Sequence, residues 1–235
     1  ISKECINKAY IDELYRYDRP CEVYYGGSGS GKSHFIAQKL IIKALGKKRK
    51  ILCLRKVGTS MKESCWRLIE DILKQWKIYN LCKIRVSEMT ITLPNGSVFL
   101  FKNMEDPERV KSIHGITDVW LEEASEFTED DYLQLSLRIR APEDDLQMFL
   151  SFNPISKANW TYKYFFSKNP KEHPFILRTT YKDNLRFLPE KYVQKLEALI
   201  NTNPYYYRVY ALGEFASLDK LIFNNWEVRE FDYKE

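Results

Sequence analysis

Gly26-Gly27-Ser28-Gly29-Ser30-Gly31-Lys32-Ser33 stands between the apolar run Val23-Tyr24-Tyr25 and a stretch over 34–45 with helical patterning. It satisfies the phosphate-loop pattern G-x-x-x-x-G-K-[ST] in the setting that gives the pattern meaning, a strand turning through glycines into a helix. Glycines adopt the positive φ values of a tight loop and leave no Cβ between backbone and anion, so amides and a helix N-terminus converge on phosphate. All eight residues, Gly26, Gly27, Ser28, Gly29, Ser30, Gly31, Lys32 and Ser33, are therefore expected at a nucleotide. Lys32 is expected to reach the β and γ phosphates of ATP, and the Ser33 hydroxyl to complete a Mg²⁺ shell. A flexible Gly/Ser linker is the competing reading, but a linker needs neither the Lys-Ser pair nor a flanking strand and helix.

The rest of the chain reads as an α/β protein built on that unit. With 235 residues, 44% hydrophobic and 29% charged, it has material for one large domain or a domain with a small appendage, and global disorder is excluded. The 37 basic and 32 acidic residues leave a net charge of +5, compatible with a polyanionic partner without demanding one. Cys5, Cys21, Cys53, Cys65 and Cys82 are odd in number and contain no C-x-x-C pair, so neither a disulfide framework nor a zinc site is indicated and a reducing, cytosolic setting is expected. No run resembles a signal peptide or reaches membrane-spanning length. Beginning at Ile and ending in a charged run, the chain also reads as part of a longer protein.

Helical spacing predicts an amphipathic helix over 4–17, whose aromatic residues either stack on a base or, the preferred reading, pack in the core. A long helix is predicted over 60–76, and others over 128–140, 189–200 and from 203 to 212, the last ended by Gly213. Predicted strands lie at 51–54, 84–86, 90–93, 98–101, 119–121, 148–152 and 175–181. Asn95-Gly96 marks a hairpin, read as an insertion over about 84–101 on the α/β core.

Carboxyl ends of strands in an open α/β sheet face the ligand crevice, which makes the residues there site candidates. Arg55 follows the apolar strand 51–54. Glu122 and Glu123 follow Val119-Trp120-Leu121, and downstream of a phosphate loop they fit the second nucleotide motif: Glu122 holding Mg²⁺ through water, Glu123 polarising the attacking water. A solvated acidic turn is the alternative. Ser151 and Asn153 close the strand 148–152, either sensing a γ-phosphate or forming an ordinary strand-to-turn transition. Arg109 and Lys111 lie just upstream of the second strand. Arg138 and Arg140 are either contacts to DNA or to a neighbouring subunit's nucleotide, or surface ion pairs.

In order, GGSGSGKS, LRK, WLEEAS, SFNP, YKDN and LGEF resemble the ATPase domain of the large terminase subunit of tailed bacteriophages, the genome-packaging motor, across almost the whole chain. The resemblance implies a RecA-like P-loop NTPase fold of the additional-strand, catalytic-glutamate class, with a mainly parallel sheet flanked by helices. It implies an ATPase core over 1–155, a lid subdomain over 156–217, and a linker over 218–235 towards a nuclease domain. By the same resemblance Gly26 to Ser33 look like the Walker A loop, Glu122 and Glu123 like the Walker B acid and catalytic glutamate, and Ser151 to Asn153 like the coupling motif. Two departures stand out: Glu122 occupies a position where many relatives carry Asp, and the loop contains no arginine. Arg55, Arg109 and Arg138 are the candidates for the missing charge.

What the resemblance implies for function is hydrolysis of ATP with Mg²⁺, driving double-stranded DNA into a procapsid in the host cell cytoplasm. The implied partners are duplex DNA, a portal protein, the small terminase subunit and further copies in a ring, a pentamer on the procapsid, with no membrane. No acidic cluster for a two-metal nuclease follows residue 226, so DNA cleavage is not expected of this stretch. A helicase-like ATPase and a nucleotide-binding scaffold without catalysis are the alternatives.

Overall fold

The computed structural model of the chain describes residues 3–57, 61–104, 110 and 113–215. Its strands are β1 (Cys21–Gly26), β2 (Lys50–Arg55), β3 (Lys83–Arg85), β4 (Thr90–Thr92), β5 (Val98–Asn103), β6 (Asp118–Glu122), β7 (Gln147–Phe152) and β8 (Phe175–Thr179). They form one sheet in the order β3-β4-β5-β2-β6-β7-β1-β8. From β5 to β8 every pairing is parallel, and β3 and β4 extend the edge antiparallel. The strand β7 separates the phosphate-loop strand β1 from the acidic strand β6, the additional-strand arrangement expected above.

Near-continuous apolar strands are what a sheet covered on both faces requires. Alternate residues of β2 divide accordingly: Ile51 and Cys53 join one core with α1 (Lys32–Gly46) and α2 (Arg67–Gln75), while Leu52 and Leu54 join another with α3 (Glu129–Ser136) and α4 (Trp160–Phe165). A third, smaller cluster gathers Tyr181, Leu196 and Ala211 around α5 (Glu190–Thr202). Among the described residues no helix is long and apolar enough to cross a membrane, and all five cysteines are free.

Several expectations change. The hairpin around Gly96 forms, and its second strand, β5, pairs with β2 along its whole length, so the segment extends the central sheet. In the 156–217 stretch expected to be a lid, β8 pairs with β1, α4 and Phe215 pack into the second core, and Tyr181, Leu196 and Ala211 form the third cluster. The amphipathic stretch near the amino terminus forms two 3₁₀ turns, Lys3–Cys5 and Lys8–Glu13, because the Asn7 side chain accepts from the Ala9 N–H and starts a new turn there. Its Tyr10 is fully buried and stacks on Phe35 at 4.7 Å, in keeping with core packing. The helix predicted to Arg140 ends at Ser136, and Ile139 bridges to Ile116 instead. The long helix expected over 60–76 opens as a π-helical turn, Lys62–Trp66, before α2, and residues 58–60 lie outside the described ones.

At the end of the sheet opposite the phosphate loop, α1 is pinned by buried charge. Lys39 Nζ donates to both Glu22 oxygens at 2.8 Å, and Lys43 Nζ donates to Asp118 Oδ1 at 2.6 Å and Gln147 Oε1 at 2.9 Å. Gln147 Nε2 closes the network on Glu22 at 3.1 Å. Removing one partner of a buried pair strands the other charge. Glu22→Ala is therefore expected to cost about 3–5 kcal/mol in denaturant unfolding, and the double replacement Glu22→Met with Lys39→Met to recover most of it.

Candidate functional site

The carboxyl ends of β1, β2, β6 and β7 meet at one edge of the sheet, and a cleft of about 350 Å³ opens there. Ser28 to Ser33 line it together with Glu123, Ser151 and Asn153. Gly31 lies at φ +89° as the N-cap of α1, and Gly29 at φ +73°, backbone that glycine adopts without strain. The turn thus aims the first amides of α1 into the cleft, an arrangement suited to an anion. Gly26 and Gly27 are not part of that lining. Gly27 N–H donates to Thr179 O at 3.0 Å, and a Cβ on Gly27 would come within 2.6 Å of the Tyr210 and Ala211 carbonyl oxygens. These two glycines serve close backbone packing beneath the loop.

Lys32 is buried, and its ammonium donates to Gly27 O at 2.8 Å, Asn153 Oδ1 at 3.1 Å, and Gly26 O and Ser30 Oγ at 3.2 Å. Burial lowers its pKa to about 8, with Glu123 and Glu122 pulling the other way. Glu122, buried at the end of β6, accepts from Ser151 Oγ and from the Ser33 side chain, and Trp120 Nε1 donates to the same Ser151 Oγ at 2.8 Å. Burial, then the neighbouring Glu123, raises the Glu122 pKa to about 7. Glu123 stands at φ 54°, ψ 54°, a left-handed conformation costly for a residue with a side chain. Successive side chains of a strand point to opposite faces, and this kink returns Glu123 to the cleft beside Glu122. Burial raises its pKa, while Lys32 and Arg55 and the Asn153 N–H act to lower it.

Arg55 reaches the site from the end of β2: its charge lowers both glutamate pKa values, and Nη2 lies 3.4 Å from both Glu126 carboxylate oxygens. Arg138 sits beyond the end of α3, outside the cleft lining, and Arg140 is exposed. Arg109 and Lys111 lie outside the described residues.

Residues that motif reading did not assign hold the loop from behind. Asn184, within the YKDN stretch, donates from Nδ2 to Gly29 O at 2.7 Å and accepts from Asn7 Nδ2 at 2.9 Å. Tyr10 Oη donates to Ser30 O at 3.0 Å, and Ser28 N–H donates to Tyr210 O at 2.7 Å. A second cavity of about 300 Å³ shares Gly31 and His34 with the cleft and is bounded by Asn7, Gln38, Asn184 and Phe187. Asn184→Ala removes a partly buried bond to the loop and leaves the buried Asn7 amide without its acceptor, so nucleotide affinity measured by titration is expected to fall about tenfold.

A divalent cation fits this donor set. Among the described residues no group of three or more His, Cys, Asp or Glu side chains could hold a metal. The Ser33 hydroxyl and the Glu122 carboxylate, already joined by a hydrogen bond, are hard oxygen donors of the kind Mg²⁺ takes alongside water and phosphate.

Comparison with known proteins agrees on one family. The family model described as "Phage terminase large subunit" matches residues 18–214. The PBSX phage terminase large subunit of Bacillus subtilis (strain 168) is 30% identical over 246 residues, covering 97% of this chain and 56% of the relative. The large subunit of the terminase of Bacillus phage SPP1 is 27% identical, covering 88% of this chain and 52% of that protein. The chain thus spans about half the length of these curated relatives. Among solved structures, the large terminase of a thermophilic bacteriophage in complex with ADP superposes with a TM-score of 0.74 at 16% identity, over 89% of this chain and 54% of that one. The Thermus phage P74-26 large terminase ATPase domain superposes with a TM-score of 0.62 at 16% identity, over 87% of this chain and 92% of that one.

Proposed function

The chain belongs to the phage terminase large subunit family, and on that premise we propose that it hydrolyses ATP with Mg²⁺ to drive double-stranded DNA into a viral procapsid. The observation that carries this reading is the convergence of Lys32, Ser33, Glu123 and Asn153 on one cleft at the phosphate loop, with Glu122 bonded to Ser33 behind it. Bound Mg²⁺ would neutralise charge on the phosphate oxygens. Ser33 and Glu122, joined by a hydrogen bond, are the residues that would hold the cation. Lys32 and the first amides of α1 bind the β and γ phosphates, and the base and ribose occupy the adjoining cavity between Asn7, Gln38 and Phe187. Glu123 orients the attacking water and takes its proton.

Arg55 supplies positive charge from within the same chain, supported by its effect on both glutamates and by its buried Nε, which has no hydrogen-bond partner. Arg109 and Arg138 remain the candidates to act on a neighbouring subunit. Ser151 and Asn153 tie the acids and Lys32 to the end of β7, and we assign them the coupling of product release to movement. A packaging motor accepts every sequence, so DNA contacts fall on phosphates. The partners in this reading are duplex DNA, the portal protein, the small terminase subunit and further copies in a ring, in the host cytoplasm. The test is phosphate release from ATP with and without EDTA, on linear duplex. Mg²⁺-dependent turnover without strand separation is expected; the absence of turnover, or unwinding of the duplex, would overturn the reading.

A further inference from the structure

After the last helical turn among the described residues, the chain packs first against the start of the phosphate loop and then against the end of β7. Gly213 adopts φ +63°, and a Cβ there would stand 2.5 Å from Gly26 Cα and from Gly27 N. Two residues later the Phe215 ring lies among Tyr25, Phe152, Tyr162 and Phe166, at centroid distances of 5.6, 6.3, 5.0 and 4.9 Å. The segment is braced from both sides: Arg178 Nη2 donates to Leu212 O at 2.7 Å, Arg208 Nε to Glu214 Oε2 at 3.0 Å, and Glu214 N–H to Arg208 O at 2.9 Å. Phe152 lines the cleft beside Ser151 and Asn153 and also belongs to the second core, its side chain alternating with that of Ser151 along β7. The ring that meets Phe215 thus stands between the two residues that bond Glu122 and Lys32.

We propose that Gly213 and Phe215 are positioning residues for nucleotide hydrolysis, Gly213 shaping the phosphate-loop backbone and Phe215 setting the end of β7. The proposal rests on the reading of the cleft as an ATP site. It gives the segment over 213–215 two separate roles: Gly213, packed against the phosphate loop, is coupled to nucleotide binding, and that coupling is reciprocal, whereas Phe215 acts through the end of β7 on the turnover step.

The test uses the full 235-residue chain, with ADP affinity from a fluorescent analogue and turnover from phosphate release. Phe215→Ala is expected to lower kcat about tenfold while ADP affinity changes less than about twofold, because the strand end is misplaced and the loop is not. Phe215→Leu, which refills the aromatic cluster, should regain most of that turnover. Gly213→Ala should do the opposite, weakening ADP binding by about tenfold or more, since the added Cβ displaces the loop. Wild-type kcat in Phe215→Ala, or a parallel loss of turnover, affinity and melting temperature that Phe215→Leu does not restore, would overturn the proposal. A wild-type chain that binds no nucleotide would instead overturn the ATP-site reading on which it stands.

Discussion

Glu123→Gln is expected to abolish measurable turnover, with kcat reduced about a thousandfold, while Mg·ATP binds as tightly as before. The amide keeps the size of the side chain and can still accept from the Asn153 N–H, but it cannot take a proton from water. The left-handed backbone at Glu123 makes the position specific: the kink brings this carboxylate to the cleft, whereas Glu122 is consumed by hydrogen bonds from Ser33 and Ser151. Single-turnover hydrolysis and nucleotide titration on the same preparation check the split. Wild-type turnover in Glu123→Gln would remove this residue as the base.

Lys32→Ala should fail at the earlier step. The ammonium is the one buried cation that reaches the loop carbonyls and Asn153 at once among the described residues, and it lies between the phosphate loop and both acids. Charge-assisted bonds to phosphate are worth about 1.5–3 kcal/mol each, so nucleotide affinity should fall at least about tenfold to a hundredfold. Lys32→Arg is not expected to rescue it, because a planar guanidinium cannot occupy a pocket shaped around a compact ammonium. Isothermal titration with Mg·ATP distinguishes the cases: lost binding for Lys32→Ala, retained binding for Glu123→Gln.

The parts legible in the sequence were those in which local chemistry dictates local shape. Glycines at the loop, an all-apolar strand ending in Glu122-Glu123, and Ser151-Phe152-Asn153 each announced a backbone and a chemistry together, and the fold class followed from their order. Long-range registration left no such mark. Nothing in the composition of β5 says that it pairs with β2, and the turn at Asn95-Gly96 reads the same whether the hairpin is appended or integral. Lys39 and Lys43 read as ordinary polar helix residues, yet they are buried because Glu22 and Asp118 arrive from distant strands. Asn184 and Gly213 were visible within YKDN and LGEF, but their contacts to the loop depend on how the segment after Thr179 folds back. Arg138 lies outside the cleft because α3 stops a turn earlier than its capping pattern and periodicity suggested.

The buried pairs beneath α1 have a consequence at the other end of the helix. The Asn95 and Ser97 side chains both donate to the Ala44 carbonyl, at 2.6 and 2.7 Å, and Lys39 and Lys43 are bonded to three strands of the sheet. A helix clamped along its length and at its tail is a datum against which other parts are displaced. The amides at its head are thereby fixed to the sheet, so on the proposed reading a stroke driven from this cleft would be taken up by the segments that touch the loop from outside, Tyr10 before it and those after Thr179.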